Sequence, residues 1–279
     1  MIALIPAYCD AYTLYFCLKS IVNHFDQIVV YDDGSFDETT QVAFCFQRQY
    51  PHVGLVVNPN KSQGWIEARN QLLKIAADEK DLFFIDADDI FCEYMKDDLK
   101  AIAAIGRPTL LRLYDLWGDW SHGTQYGNHY DPCHIYVPDA ACLQWVGSTP
   151  DGHSARPKVG GPILRWPNTL FFHAKGVKPD FRIYLRHYIK PWIMAGRPYP
   201  LIEWCDLIHK TGQEIHKEAF HILTHASNRI VPFNPKTPSL PQVIEEELKD
   251  PMMFFEYNGN KIVDRVQRDR SMDFYCNLL

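Results

Sequence analysis

The chain has 279 residues, of which 47% are hydrophobic and 22% charged, and its formal net charge at pH 7 is −6. This length and apolar content suffice for a large α/β domain with a buried core. The acidic balance argues against a protein whose overall charge holds it on nucleic acid, and no apolar stretch is long enough to predict a transmembrane helix. The eight cysteines include no Cys-x-x-Cys pair, and the first residues lack the charged flank of a signal peptide. We therefore expect reduced thiols and a cytoplasmic location.

The first 115 residues alternate short apolar runs with amphipathic stretches, which is the pattern of βαβ units in a parallel sheet covered on both faces. The predicted strands lie at residues 2–5, 28–31, 54–57, 82–85 and 110–113. Apolar residues at helical spacing predict the intervening helices, at residues 14–25, 38–49, 65–78 and 94–105.

The second half of the chain follows a different pattern. Segment 114–165 is rich in glycine, proline, histidine and aromatic residues without a regular period, so we expect it to cover a site or to form irregular hairpins. Helices are predicted at residues 182–194, 201–210 and 214–224, followed by a proline-rich connector, a short helix at 243–249 and a polar tail. We expect one domain over residues 1–227, with halves 1–115 and 116–227, and a C-terminal extension over residues 228–279.

An apolar run leads directly into a cluster of carboxylates at residues 82–89, Leu-Phe-Phe-Ile-Asp-Ala-Asp-Asp. The run predicts a buried strand, and acids at its carboxyl end would lie in the crevice where open α/β sheets bind ligands. Mg²⁺ or Mn²⁺ takes oxygen ligands from one or two carboxylates and from substrate phosphates. The pattern therefore favours a metal–diphosphate site, while an acidic turn or a helix N-cap is the alternative.

Three further motifs precede this cluster in the chain. Tyr8 and the carboxylates Asp32 and Asp33 follow the first two strands and offer an aromatic face and hydrogen-bond acceptors for a nucleotide base. The alternative for residues 32–35 is an ordinary turn in which Ser35 or Asp37 caps the next helix. Arg69 lies near a predicted helix N-terminus, where it could bind a diphosphate, and an ion pair with Glu67 or Asp78 on the surface is the competing interpretation.

Taken together, the motifs resemble those of the family-2 glycosyltransferases, a group of inverting sugar transferases with a GT-A fold. The matching pieces are Ile5-Pro6-Ala7-Tyr8, Tyr31-Asp32-Asp33-Gly34-Ser35-Phe36-Asp37, Gly64-Trp65-Ile66-Glu67-Ala68-Arg69-Asn70 and the DxD signature Ile85-Asp86-Ala87-Asp88-Asp89. Their order and separation match the family over residues 2–90. The resemblance implies a Rossmann-like, mainly parallel sheet flanked by helices, in which residues 1–115 bind a nucleotide sugar and residues 116–227 bind the acceptor.

The resemblance also implies roles for individual residues. It assigns donor binding to Pro6, Ala7, Tyr8, Asp32, Asp33, Gly64, Arg69, Asp86 and Ala87. It implies that Asp86 contacts the ribose or a metal-bound water and that Asp88 binds Mn²⁺ or Mg²⁺. In many members a histidine from the second half of the chain also binds the metal, and His173 and His187 are the candidates by their order in the sequence. The alternative is that each is a packed, hydrogen-bonded side chain, which is the commoner role of a single histidine. A UDP-sugar is the first choice of donor.

An inverting transfer needs a carboxylate that takes the proton from the attacking hydroxyl. Glu203 and Asp206 lie in a segment that resembles the acidic helix start carrying this base in many family members, although the usual adjacent Glu-Asp pair is missing. Asp151, in the acceptor-side region, is the alternative base, or else an ordinary turn residue.

The sequence predicts only the chemical class of the acceptor. A glycan or lipid-linked glycan is the first choice for a hexosyltransferase of this kind, and a hydroxymethylated base of DNA is an alternative. The aromatic residues available for stacking are Trp117, Trp120, Tyr126, Tyr130 and Trp145, and the basic residues available for a nucleic-acid backbone are Arg182, Arg186, Lys190, Arg265, Arg268 and Arg270.

His122, His129 and His134 lack the paired spacing of a zinc site and are interpreted as loop residues around the acceptor. A non-catalytic sugar-nucleotide or glycan-binding protein is the alternative from a different class, and a nucleotidyltransferase is disfavoured because no glycine-rich basic loop follows the first strand.

Overall fold

The computed structural model describes residues 1–60, 64–147, 156–180, 182–183, 212–225, 230–232, 240–258 and 261–268. The strands are β1 (Ile2–Ala7), β2 (Gln27–Asp32), β3 (Val53–Val57), β4 (Lys80–Phe84), β5 (Asp89–Phe91), β6 (Thr109–Leu116), β7 (His122–Asp139), β8 (Leu143–Val146), β9 (Arg156–Val159), β10 (Leu164–His173), β11 (Ile230–Pro232), β12 (Met253–Asn258) and β13 (Lys261–Gln267). The helices are α1 (Ala11–Ile21), α2 (Thr39–Gln49), α3 (Trp65–Ile75), α4 (Lys96–Ile105), α5 (Gly212–His225) and α6 (Gln242–Glu247).

The described residues form a nine-stranded central sheet, with the order β3-β2-β1-β4-β7-β6-β10-β5 and with β11 paired to β7. Strands β3, β2, β1 and β4 are parallel to one another, whereas β7 runs antiparallel to both β4 and β6. The chain moves from β1 outward to β2 and β3 and then returns to place β4 on the other side of β1. The order therefore reverses between β1 and β4, and open α/β sheets bind ligands at the carboxyl ends of the strands at such a point.

The sheet is covered on both faces, which explains why β1 is buried along its whole length. Ala3 and Ile5 pack in the cluster that contains α1 and α2, whereas Ile2 and Leu4 pack on the opposite face against α3. The predicted α/β class and GT-A-type arrangement are confirmed.

The first half of the chain follows the predicted elements to within a few residues, but two strands and one hairpin are corrections to the prediction. Strand β5 begins inside the DxD segment, β7 runs for 18 residues through the segment expected to be irregular, and β12 and β13 form a hairpin where a polar tail was expected. All of these strands are in antiparallel pairs: β5 pairs with β10, β7 pairs with β4, and β12 pairs with β13. Their sequences carry few of the continuous apolar runs by which the parallel strands were predicted. Helix α5 confirms the predicted helix at 214–224, whereas most of the two helices expected at 182–194 and 201–210 falls outside the described residues.

The C-terminal segments contact the sheet directly. Strand β11 pairs with the start of β7, and the backbone N–H of Phe255 in β12 donates to Asp119 Oδ2 over 2.9 Å. Arg265 in β13 is buried and its Nη1 lies 2.7 Å from Asp180 Oδ1. Within the described ranges no helix has the length and apolar character needed to cross a bilayer, and all six described cysteines are free.

Candidate active site

The carboxyl ends of β1, β2 and β4 carry the predicted donor-binding residues. Ala7 and Asp32 are partners in the β1–β2 register, and β4 ends two residues before Asp86. The turn after β1 contains Cys9 in a left-handed conformation, with φ of 53°, and Ser35 Oγ accepts a hydrogen bond from the Cys9 N–H over 2.8 Å. This contact ties the loop after β1 to the loop after β2.

Asp32 and Asp33 are buried and organise the loops around them. Asp32 Oδ1 accepts from the Ser35 N–H over 2.9 Å, so this segment forms a turn, but the N-cap of α2 is Glu38 and not Ser35 or Asp37. Asp33 Oδ1 accepts from Asn58 Nδ2 over 2.9 Å, and its Oδ2 accepts from the Gly64 N–H over 3.0 Å. Gly64 adopts φ of 89° immediately before α3, a conformation that favours glycine. Asp33 therefore positions the start of the helix that carries Arg69.

Arg69 is 2% exposed and forms a buried ion pair with Asp86 of the DxD segment. Its guanidinium carbon lies 5.7 Å from the ring centre of Trp65 and 5.3 Å from that of Trp145, so the cation is held between two aromatic faces. Among the described residues, Arg69 does not form the alternative surface ion pair with Glu67 or Asp78, and Glu67 Oε1 lies 3.7 Å from Lys74 Nζ. Burial raises the pKa of Asp86, and the charges of Arg69 and His134 oppose this effect.

Asp88 belongs to a second chain of buried charges that the sequence analysis did not anticipate. Lys178 Nζ lies 2.8 Å from Asp88 Oδ2 and 3.0 Å from Asp10 Oδ1, and Arg182 Nε lies 3.4 Å from the same Asp10 oxygen. Burial alone would raise the pKa of Asp10, but the charges of Lys178 and Arg182 lower it below its usual value. Asp10 could have been found as the first acid after β1, whereas nothing in the local sequence of Lys178 marks it.

Asp89 lies between two histidines. His173 Nδ1 is 2.9 Å from Asp89 Oδ1, and His134 Nε2 is 2.7 Å from Asp89 Oδ2. The sheet register explains both contacts, because His173 is the partner of Asp89 in the β10–β5 pair, and His134 directly precedes Ile135, the partner of Phe84 at the end of β4. His134 is 1% exposed, so its interpretation as a loop residue around the acceptor is wrong.

The two histidines also face the other carboxylates of the DxD segment. His134 Nε2 is 3.7 Å from Asp86 Oδ2, and His173 Nδ1 is 3.6 Å from Asp88 Oδ1. Although burial alone would lower it, the charges of Asp89 and Asp86 raise the pKa of His134 to about 10. The pKa of His173 is also raised, because Asp88 and Asp89 outweigh the opposing effect of burial. The ligand atoms of Asp89, His134 and His173 all lie within 4.8 Å of one another, a spacing that could hold a metal ion.

Other predicted site residues fall elsewhere. The candidate bases Asp151, Glu203 and Asp206, and the candidate ligand His187, lie outside the described residues. Trp120 and Trp145 are buried core residues, with Trp120 Nε1 donating to Tyr12 Oη over 2.8 Å, so the structure corrects their assignment to an exposed stacking surface.

The suggested basic track is not supported by its described members. Arg182 and Arg265 are buried and paired with acids, and Arg268 pairs with Asp250. Arg186, Lys190 and Arg270 lie outside the described residues.

Comparison with known proteins supports the motif analysis. The family model "Glycosyl transferase family 2" matches residues 2–104, and a search of the curated proteins gave no match. Among solved structures, S. aureus TarS 1-349 and the same fragment in complex with UDP are 17% and 16% identical to this chain, each with a TM-score of 0.46 over 65% of it. A longer S. aureus TarS structure is 16% identical, with a TM-score of 0.45 over the same share. The chain spans 61%, 62% and 37% of the lengths of these three structures, respectively.

The matched residues contain all four motifs and the four parallel strands β1 to β4. Over residues 2–104, this chain is therefore similar to the glycosyl transferase family 2.

Proposed function

We propose that this chain transfers a hexose from a nucleotide-sugar donor, in the first place a UDP-sugar, to a hydroxyl group of a glycan or lipid-linked glycan. The transfer inverts the anomeric carbon and depends on Mn²⁺ or Mg²⁺. The protein acts in the cytoplasm.

The observation that carries this proposal is the pairing of charges at the point where the strand order reverses between β1 and β4. Asp86 and Asp88 each use one carboxylate oxygen on a buried cation, Arg69 or Lys178. Their second oxygens face His134 and His173. A nucleoside diphosphate with a divalent cation carries both complementary groups, since phosphate oxygens suit Arg69 and Lys178 and the cation suits the carboxylates.

Arg69 has the features of a phosphate-binding group. Its Nε is buried and makes no hydrogen bond within the described residues, and a guanidinium can bind two phosphate oxygens at once. Its position between Trp65 and Trp145 restricts the side chain, so little conformational entropy is lost when it binds. Tyr8, beside Arg182, supplies the aromatic face for the base.

Asp86 and Asp88 present carboxylate oxygens, which are suitable ligands for Mn²⁺ and Mg²⁺. When bound, such an ion would stabilise the negative charge that develops on the departing diphosphate. The chain itself must supply the base for the acceptor hydroxyl, for which Asp206, Glu203 and Asp151 are the candidates.

The proposal is tested by titration calorimetry with UDP-glucose, UDP-N-acetylglucosamine and GDP-mannose, with and without Mn²⁺, and by an assay of nucleoside diphosphate release. We expect metal-dependent binding of one of these donors. The substitution Asp88→Asn should lower turnover by about a hundredfold or more and remove the metal-dependent part of donor binding, because it deletes one negative charge from the DxD segment.

Asp78→Asn is the matched control, because Asp78 is an exposed carboxylate beyond the end of α3. It should leave donor binding and turnover as in the wild type. Unchanged turnover in Asp88→Asn would refute the central assignment. Tight metal-independent donor binding, or binding of nucleoside triphosphates alone, would favour a binding protein or a nucleotidyltransferase.

A further inference from the structure

We infer that Asp89, His134 and His173 complete the metal site of this chain and make it selective for a transition-metal ion such as Mn²⁺, Co²⁺ or Zn²⁺ over Mg²⁺. Asp86 Oδ2 and Asp88 Oδ1 are the adjoining oxygen donors. The inference deepens the proposed function, on which its catalytic meaning rests, and it adds two ligands, Asp89 and His134, to those expected from the sequence.

The three side chains come from three different strands of the central sheet, of which β5 and β10 are antiparallel partners. Asp89 begins β5, His134 lies within β7, and His173 ends β10. Asp89 is fully buried, with one carboxylate oxygen near each imidazole at 2.9 and 2.7 Å. The arrangement is therefore built by the core of the domain, and rigid strands hold the donors in place.

Hydrogen bonding does not account for His134. Neither of its ring nitrogens makes a hydrogen bond of acceptable geometry within the described residues, although Nε2 is only 2.7 Å from Asp89 Oδ2. The carboxylates of Asp89 and Asp86 lie close to this imidazole, but among the described residues neither ring nitrogen makes a hydrogen bond of good geometry that a bound ion would have to displace. His134 Nε2 and Asp89 Oδ2 are close together, but an N–H bond on this nitrogen would not point at the oxygen. This geometry is expected when an imidazole nitrogen and a carboxylate oxygen both point toward one metal ion.

The surroundings supply the outer contacts that metal-bound imidazoles usually have. His134 Nδ1 lies 3.9 Å from Asp131 Oδ1, and a carboxylate near the second ring nitrogen typically orients a ligating histidine. The side chain of Asp86 is 18% exposed, whereas that of Asp89 is fully buried. Asp86 therefore marks the side of the cluster from which an ion and a diphosphate could approach.

The donor set decides the class of ion. Imidazole nitrogens suit zinc, cobalt and other transition ions, whereas Mg²⁺ prefers an all-oxygen shell with several waters. Two imidazoles beside three carboxylates therefore favour a transition-metal ion of intermediate hardness over Mg²⁺. If only Asp86 and Asp88 held the cation, Mg²⁺ would serve as well as Mn²⁺.

The test begins with the metal alone, without nucleotide. Purified, chelator-treated full-length protein is titrated with Co²⁺, followed by its visible d–d absorption, and the stoichiometry is checked by elemental analysis. We expect one Co²⁺ per chain, not displaced by a large excess of Mg²⁺. His134→Gln should weaken Co²⁺ binding by at least about tenfold.

His129→Gln is the matched control, because His129 lies on the same strand, and its Nδ1 faces the carbonyl of Gly127 over 3.0 Å. It should bind Co²⁺ as the wild type does. Co²⁺ binding by His134→Gln at wild-type affinity, or no Co²⁺ binding by the wild type, would overturn the inference.

A second measurement needs no variant and therefore does not depend on the folding of His134→Gln. Pulsed EPR of the wild type loaded with Cu²⁺ as a probe should show couplings to imidazole nitrogens, and their absence would contradict the inference. Failure of the proposed function has a different signature: a protein that binds Co²⁺ through imidazoles yet neither binds nor hydrolyses any nucleotide sugar.

Discussion

Asp86 and Asp88 are two positions apart, yet their side chains pair with cations from different parts of the molecule. Asp86 pairs with Arg69 on α3, and Asp88 pairs with Lys178 beyond β10. Removing one partner of a buried ion pair typically costs about 3–5 kcal/mol. Functional tests at these positions therefore require substitutions that keep the shape of the side chain, such as Asp to Asn, together with a measurement of stability.

The residue that acts as the base can be found by comparing Asp206→Asn with Asp151→Asn. An amide keeps the size of the carboxylate but cannot take the proton, so the correct substitution should lower kcat by about 10²- to 10⁴-fold. Its donor affinity should stay near the wild-type value, because the base contacts the acceptor hydroxyl. Steady-state kinetics at saturating donor and calorimetric donor binding give the two readings.

Glu203→Gln completes this comparison, since Glu203 lies in the same segment as Asp206. It should affect kcat less than the correct substitution does. If all three variants kept their activity, the base would lie elsewhere in the chain.

At the scale of elements, the hairpin β12–β13 attaches to the sheet through contacts around Trp117 to His122. Asp119 Oδ2 accepts from the Phe255 N–H over 2.9 Å, and its Oδ1 lies 2.6 Å from His122 Nδ1. The Tyr257 hydroxyl contacts Nε2 of the same histidine. Asp119 and His122 thus join the hairpin to the start of β7.

Gly118→Ala should test how tightly this hairpin is packed. Gly118 has φ of 84°, and a Cβ there would overlap the buried ring of Phe255. A left-handed backbone costs an alanine about 1–2 kcal/mol, and overpacking adds roughly 1–3 kcal/mol. We expect the free energy of unfolding in urea to fall by roughly 2–5 kcal/mol by these two effects together.

Gly106→Ala is the control for the backbone effect alone, because Gly106 has φ of 62° and no atom within 4 Å of an added Cβ. It should cost about 1 kcal/mol. Equal losses for the two variants would show that Phe255 does not press on Gly118 in solution.

At the scale of the whole molecule, His216 joins three parts of the chain. Its Nδ1 lies 2.6 Å from Asp180 Oδ2, and its Nε2 lies 2.9 Å from Asp264 Oδ1. Helix α5, the segment after β10 and strand β13 are therefore held together by one imidazolium between two carboxylates. Burial opposes the charge on His216, but its two carboxylate partners raise its pKa above the usual value of 6.5.

This raised pKa predicts a loss of stability as the pH increases. The folded state binds the His216 proton more tightly than the unfolded state, so the contribution is complete below the unfolded pKa of 6.5 and disappears as the pH rises through the folded pKa. Tm measured between weakly acidic and alkaline pH should fall more steeply for the wild type than for His216→Gln. His221→Gln alters an exposed residue on the same helix and should retain the wild-type slope of Tm against pH. Identical slopes for the wild type and His216→Gln would refute the role of the His216 contacts.

The sequence alone determined the parallel half of the sheet and the DxD segment. Strands β1, β2 and β4 are largely buried on both faces and each leaves a continuous apolar run, whereas β3 is a partly exposed edge strand. Each motif is a contiguous segment at the end of one of these runs or at the start of α3. Such signals are local, because a few neighbouring residues carry both the pattern and its structural consequence. The long strand β7 was missed for the converse reason, since its pairing partners lie elsewhere in the chain.

Only the tertiary structure decided which side chains meet the acids of the DxD segment. Lys178 reaches Asp10 across 168 residues of sequence, and His173 reaches Asp89 across 84. His134 was assigned to a loop because it lacks the paired spacing of a zinc site, yet the antiparallel register of β4 and β7 brings it beside Asp86 and Asp89. Pair contacts of this kind depend on strand order and register, which are set by the packing of the whole sheet and leave no mark on the residues nearby.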